Sequence, residues 1–237
     1  MKPSYRVVGV TISMAALALT TLTADAQNLL TDPNFANETS APNPNPNGAL
    51  GWANFNGTAF ASPSFALGSP NALYTPDNGG GYSVPGTYQV FAASPGETFT
   101  MSGWVYTPNT LVANDNDFAI FQLSFFTGAP PNNYAGGTGT GTFGVNIGDP
   151  NGGTAVALPQ GTWTFASVTG TAPAGTASLG AYILDINADA NADFYFDQMS
   201  LTVAPEPSSF ALAGVGLAGM FYVLRRRKMA LAAVVNK

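Results

Sequence analysis

Asp185, Asn187, Asp189, Asn191 and Asp193 set an oxygen-bearing side chain at every second position of one short stretch. Calcium gathers about six to eight oxygen ligands, and a loop with this spacing offers several. The stretch is not an EF-hand. Counting from Asp185, Ala190 stands sixth, where the sharp turn needs Gly, and Phe196 stands twelfth, where a bidentate Glu is required. A solvated turn between two strands reads the same way. Tyr82 and Tyr134 lie in Gly-rich stretches. There an exposed ring can stack on the flat face of a sugar, although ordinary loops also carry such tyrosines. Trp52, Trp104 and Trp163 offer the same chemistry. Each sits in or beside an apolar run, so core packing is the expectation for Trp52 and Trp163.

Most catalytic chemistry is excluded by what is missing. The chain has no Cys and no His, and Gln27–Ala204 has no Lys or Arg. The usual general base, thiol nucleophile, Schiff-base amine and phosphate clamp are therefore absent from that stretch. Carboxylates, hydroxyls and phenols remain. Two carboxylates can hydrolyse a glycosidic bond, but no spacing marks such a pair. The expectation is a protein that is not an enzyme, with a cryptic glycoside hydrolase kept as an alternative.

Charge is partitioned along the chain. The basic residues are Lys2, Arg6, Arg225, Arg226, Arg227, Lys228 and Lys237, all outside Gln27–Ala204. Every acidic residue except Asp25 and Glu206 lies inside it. A strongly acidic stretch without cations cannot displace phosphate counterions, so nucleic acid is excluded as a partner.

Both ends read as addresses. Lys2 and Arg6 precede the uncharged, mostly apolar Val7–Leu22, and Ala24-Asp25-Ala26 supplies a small-x-small cleavage pattern. This predicts a signal peptide over 1–26 and a mature chain from Gln27; an uncleaved anchor helix is the alternative. At the other end, Pro205-Glu206-Pro207 and Ser208-Ser209 lead into Phe210–Leu224, 15 residues without charge. Arg225-Arg226-Arg227-Lys228 follows at once. The two serines extend the run to a transmembrane helix over 208–224, and arginines can snorkel to its boundary. The basic cluster holds its end in the cytoplasm and leaves the large domain outside. A plain C-terminal anchor after a Pro-rich linker is the bland alternative.

The order and spacing of Val203–Lys228 resemble the PEP-CTERM sorting signal of Gram-negative bacteria. The resemblance implies recognition of Pro205, Glu206 and Pro207 by an exosortase, a membrane-embedded cysteine transpeptidase. The tail Met229–Lys237 runs longer than the usual basic end of that signal.

Between the addresses the chain must fold from short strands. Only 8% of residues are charged, while 27 Gly and 18 Pro punctuate the apolar runs. Strands are expected at Ala72–Tyr74, Gly86–Ala92, Thr98–Tyr106, Phe118–Thr127, Gly141–Ile147, Thr162–Thr169, Ala177–Ile186 and Phe194–Val203. In Thr98–Tyr106, alternation puts Phe99, Met101, Gly103 and Val105 on one face. Thr98, Thr100, Ser102, Trp104 and Tyr106 fall on the other. In Phe194–Val203, strict alternation groups Tyr195 and Asp197 with Met199 and Leu201. The expectation is an all-β, jelly-roll β-sandwich over 27–203. A sorting segment over 204–228 and a short tail over 229–237 follow it.

A second resemblance runs through this domain. Asn28-Leu29-Leu30 with Asp32-Pro33-Asn34-Phe35, then Gly51-Trp52, Thr87–Phe91, Pro95–Trp104, Gly161-Thr162-Trp163, Thr171–Ala177 and Phe194–Asp197 follow in order. They resemble the carbohydrate-binding-module-like jelly rolls of the galactose-binding-like superfamily. The resemblance implies the fold and, more weakly, sugar binding. It also implies a structural Ca²⁺ between an acidic residue after the opening Phe and one in the last strand. Asp197 matches the latter position; Ala36 stands at the former, with Glu38 displaced by two residues. The function expected is an exported envelope or biofilm-matrix protein associated with exopolysaccharide. A spacer protein without a glycan ligand is the alternative.

Overall fold

The computed structural model describes residues 26–36, 51–55, 60–75, 84–109, 117–128, 137–149, 156–186 and 192–204. In the C-terminal segment it describes Gly216, Gly219, Met220 and Tyr222. The strands are β1 (Ala53–Phe55), β2 (Phe60–Ser62), β3 (Ala72–Thr75), β4 (Gly86–Ala92) and β5 (Thr98–Tyr106). They continue with β6 (Phe118–Phe126), β7 (Gly139–Ile147), β8 (Thr164–Thr171), β9 (Ser178–Ile186) and β10 (Phe194–Val203). They form two five-stranded sheets, β1-β4-β9-β6-β7 and β2-β3-β10-β5-β8. All strand pairs are antiparallel.

From β3 to β10 the chain changes sheet at every connection except β6–β7. That winding is a jelly roll. The expected bounds of β4, β5 and β10 coincide with those observed. The strands β1 and β2 were not expected, because three residues each are too few to show a period.

Alternation makes the sandwich. β5 buries every second residue, sending Phe99, Met101 and Val105 inward. They meet Phe121, Leu123 and Phe125 of β6, Leu179 and Ile183 of β9, and Phe194 and Phe196 of β10. Gly103 shares this inner face, and the Met199 side chain of neighbouring β10 fills the space a Cβ would take there. The N-terminal segment closes one edge of the core. Leu29 donates its N–H to Leu201 O at 2.8 Å, and Asn28 Nδ2 donates to Met199 O at 2.9 Å. Leu30 and Phe35 pack with the buried Trp52, whose Nε1–H donates to Asp32 O at 3.0 Å.

One expectation fails in β10. Gln198 has φ 50°, and the pairing with β5 slips between Asp197 and Ser200. This bulge inserts one residue and reverses the phase of all that follows. Tyr195 and Asp197 stay outward, opposite Tyr106 and Trp104, while Met199 and Leu201 turn into the core.

The signal peptide lies outside the described residues except for Ala26, as does most of the expected helix over 208–224. Among the described residues no helix is long and apolar enough to cross a membrane.

Candidate functional site

The outward residues of the β2-β3-β10-β5-β8 sheet converge into one aromatic surface. Tyr74, Tyr195 and Tyr106 stand side by side across β3, β10 and β5, because Tyr195 is register partner to both. Tyr74 and Tyr195 stack at 4.8 Å between centroids, with planes 19° apart. One residue pair further along the sheet, Trp104 faces Phe165 of β8 edge-on at 5.6 Å. Trp163, just ahead of β8, leans on Tyr106 at 5.4 Å.

A second layer lies on this floor. Phe65, in the loop between β2 and β3, stacks on Tyr106 at 4.7 Å and meets Tyr195 edge-on at 5.0 Å. Phe65 is 46% exposed and Phe165 51% exposed. They are exposed although each belongs to a residue type usually buried. Trp104, Tyr106 and Trp163 are half-buried.

The loop that carries Phe65 is fastened to the β10 bulge. Asp197 Oδ2 accepts from Leu67 N at 2.7 Å and from Ser69 Oγ at 2.5 Å. Its Oδ1 accepts from Gln198 N at 2.7 Å. Gln198 Nε2 in turn donates to Leu67 O. Asp197 is fully buried, and protein donors meet both its oxygens. Tyr74 donates its hydroxyl to Asp193 Oδ1 at 2.8 Å. Burial first, then the Asp193 carboxylate and the Tyr106 phenol, hold the Tyr195 phenol above its ordinary range, so it stays protonated.

Beyond the aromatic end, the same face becomes a row of hydroxyls. Thr98 pairs with Thr171 and Thr100 with Thr169, each at 2.9 Å, and Ser102 stands opposite Ser167. No formal charge stands on the outward positions of β5 or β8.

The residues singled out from the sequence are distributed as follows. Trp52 is core, as expected. Trp163 was expected in the core and is instead half-buried on the outer face, because it precedes β8 and leans on the outward Tyr106. Asp185 is buried within β9, Asp193 is tied to Tyr74, and Asp197 fastens the Phe65 loop. Among the described residues no three acidic side chains gather as a metal site would require. Glu38, Asp189, Tyr82 and Tyr134 lie outside the described residues, as do Pro205–Pro207 and Arg225–Lys228. Phe65, Phe165, Tyr74 and Tyr195 were not singled out. The outward run of Trp104 and Tyr106 in β5 was the one signal that pointed to this face.

Residues 203–228 match the PEP-CTERM protein-sorting motif. The motif marks a bacterial protein that is exported, sorted to the cell envelope and handled by exosortase-type machinery. The sandwich is similar to solved structures that are mostly carbohydrate-binding modules with a jelly-roll fold. An arabinose-bound MgGH51 α-L-arabinofuranosidase is 16% identical with TM-score 0.50, covering 74% of this chain and 26% of that one. A family 16 carbohydrate-binding module is 19% identical with TM-score 0.44, covering 69% and 96%. The enzymatically active domain of bacteriophage CBA120 tailspike protein 4 is 11% identical with TM-score 0.44, covering 73% of this chain. The chain spans 20% of the tailspike and 26% of the arabinofuranosidase. At these identities the likeness is one of fold alone. No curated protein matches the chain.

Proposed function

We propose that this chain is a non-catalytic protein of the Gram-negative cell envelope or extracellular matrix. It associates with neutral polysaccharide through the outer face of the β2-β3-β10-β5-β8 sheet. The observation that carries this reading is the aromatic surface of exposed Phe65 and Phe165 and half-buried Trp104 on a sandwich without a single cation. Exposed aromatic area on an exported protein signals a contact, and sugars present C–H faces that stack on such rings. The surplus of carboxylates repels uronate or phosphate polymers, which leaves neutral glycans. A structural Ca²⁺ in the 185–193 stretch is no part of this contact.

The test is retention of the full chain, purified in a zwitterionic sugar-free detergent, on neutral plant, algal and bacterial polysaccharides. Wild type is retained and Trp104→Ala is not. A chain that no polysaccharide retains is a spacer, and sugar release abolished by a carboxylate substitution makes it a hydrolase. Sorting is read separately from the C-terminal peptide of the mature protein. A terminus near Pro205–Pro207 reports processing; an intact Arg225–Lys228 end in the membrane fraction reports a plain anchor.

A further inference from the structure

Phe65 is held in a backbone conformation that its residue type rarely adopts. Its φ is 57°, where a side chain with a Cβ crowds its own carbonyl. Such a conformation persists only where the surroundings enforce it. Here they do so with unusual economy. Two successive residues of β10, Asp197 and Gln198, supply the side-chain bonds that fasten the loop to the sheet. These reach Leu67 N, Ser69 Oγ and Leu67 O. Asp197 has no cation to pair with anywhere in 27–204, so these donors are what satisfy its buried oxygens. Releasing the loop would strip that carboxyl group of its loop donors, which opposes movement of the loop. Gln198 itself has φ 50°, so the same bulge that turns Met199 into the core frees the Gln198 side chain to reach the loop.

The ring so positioned is not buried. It stands one layer above the sheet on Tyr106, beside the lower level formed by Trp104 and Phe165. Trp104 and Tyr106 are two positions apart on one strand, about 7 Å. The result is a step: a floor of Trp104 and Phe165, and a wall of Phe65. We propose that this step takes a single neutral pyranose unit of a polysaccharide, its C–H face on the floor and its edge against Phe65. Phe65 thereby determines specificity, and Asp197 and Gln198 act as its positioning residues. Ser102 and Ser167 are the next outward residues along β5 and β8 and offer uncharged partners to the sugar's hydroxyls. A wall fixed before binding spares the ordering cost that a free loop would incur. This inference rests on the reading that the face contacts neutral glycan.

The experiment uses the full chain in the same detergent. Dissociation constants are measured for xylan, β-1,4-galactan, β-1,3-glucan and mannan, with alginate as the anionic control. Tryptophan emission reports occupancy beside Trp104 and Trp163. The variants are Phe65→Ala, Phe65→Trp, Asp197→Asn, the double variant Phe65→Ala/Asp197→Asn, and Trp104→Ala. Phe65→Ala weakens the preferred glycan about tenfold, and Phe65→Trp restores binding, because the wall needs a flat ring. Asp197→Asn weakens binding by a similar factor, yet adds nothing to Phe65→Ala in the double variant, since both act through one wall. Additive losses, or Phe65→Ala binding within twofold of wild type while Trp104→Ala fails, overturn the wall and leave the glycan face standing. Wild type that binds none of the four glycans overturns the face and the wall together. A dimer in wild type that Phe65→Ala dissociates makes the step a contact between copies, and overturns both.

Discussion

Each sheet carries a stacked tyrosine pair on its outer side, and the two pairs have opposite fates. On β4 and β9, Tyr88 and Tyr182 stack at 5.2 Å with planes 23° apart. On β3 and β10, Tyr74 and Tyr195 do so at 4.8 Å and 19°. The first pair is only 3% and 8% exposed and belongs to a small apolar cluster with Ala53 and Leu184. Tyr182 lies down over Gly180, where a Cβ would overlap its ring. The second pair instead supports further rings, and the topmost, Phe65, faces solvent. Aromatic content is therefore no guide to a contact surface. What decides is whether the next layer ends in packing or in an exposed ring.

The largest effect that tests this contrast is Tyr182→Ala. Emptying a buried aromatic site costs about 3–5 kcal/mol, so the denaturant midpoint falls steeply. Retention of the protein that remains folded does not change. If glycan retention collapses while the fold holds, the first sheet is the contact surface and the contrast is reversed. Trp104→Ala comes next, with the opposite signature: about tenfold weaker glycan binding and a midpoint shifted by less than about 1 kcal/mol, as a half-exposed ring is lost. Smaller still is a pH effect. The folded-state pKa of Tyr195 is raised above the ordinary phenol value of about 10. Its contribution to stability is full below that pH and is lost as pH climbs through the folded-state value. Alkaline titration of Tyr195→Phe should accordingly show a shallower loss of stability above pH about 10 than wild type, and no difference at neutrality. The smallest effect concerns calcium. Protein donors already meet both oxygens of Asp197, so the melting temperature in EDTA and in millimolar calcium should coincide. A rise with calcium would show that an ion binds the folded chain.

The limits of the sequence reading have physical causes. β5 was legible in full because nothing interrupts its alternation. β10 was legible in extent but not in phase, since Gln198 carries no turn chemistry to announce a bulge. The oxygen-at-every-second-residue pattern of 185–193 was read as loop chemistry. Asp185 sits inside β9 and Asp193 immediately precedes β10, as the expected strands Ala177–Ile186 and Phe194–Val203 implied. Phe65 was illegible because its loop is fixed by bonds to residues 130 and 128 positions away. No local pattern encodes such a contact. Trp163 was misplaced for a related reason: the ring it leans on belongs to β5, far away in the chain.

The sorting motif begins at Val203, still paired with Phe99, and Ala204 N donates to Thr98 O at 2.8 Å. β10 is the middle strand of its sheet, flanked by β3 and β5. Any pull transmitted through the sorting segment therefore enters the sandwich along a central strand. It runs nearly at right angles to the hydrogen bonds that hold that strand. The bonds share the load in shear and must rupture together, instead of unzipping one by one. A pull from the C-terminal end thus loads the sandwich along its strand direction, where these bonds act in parallel.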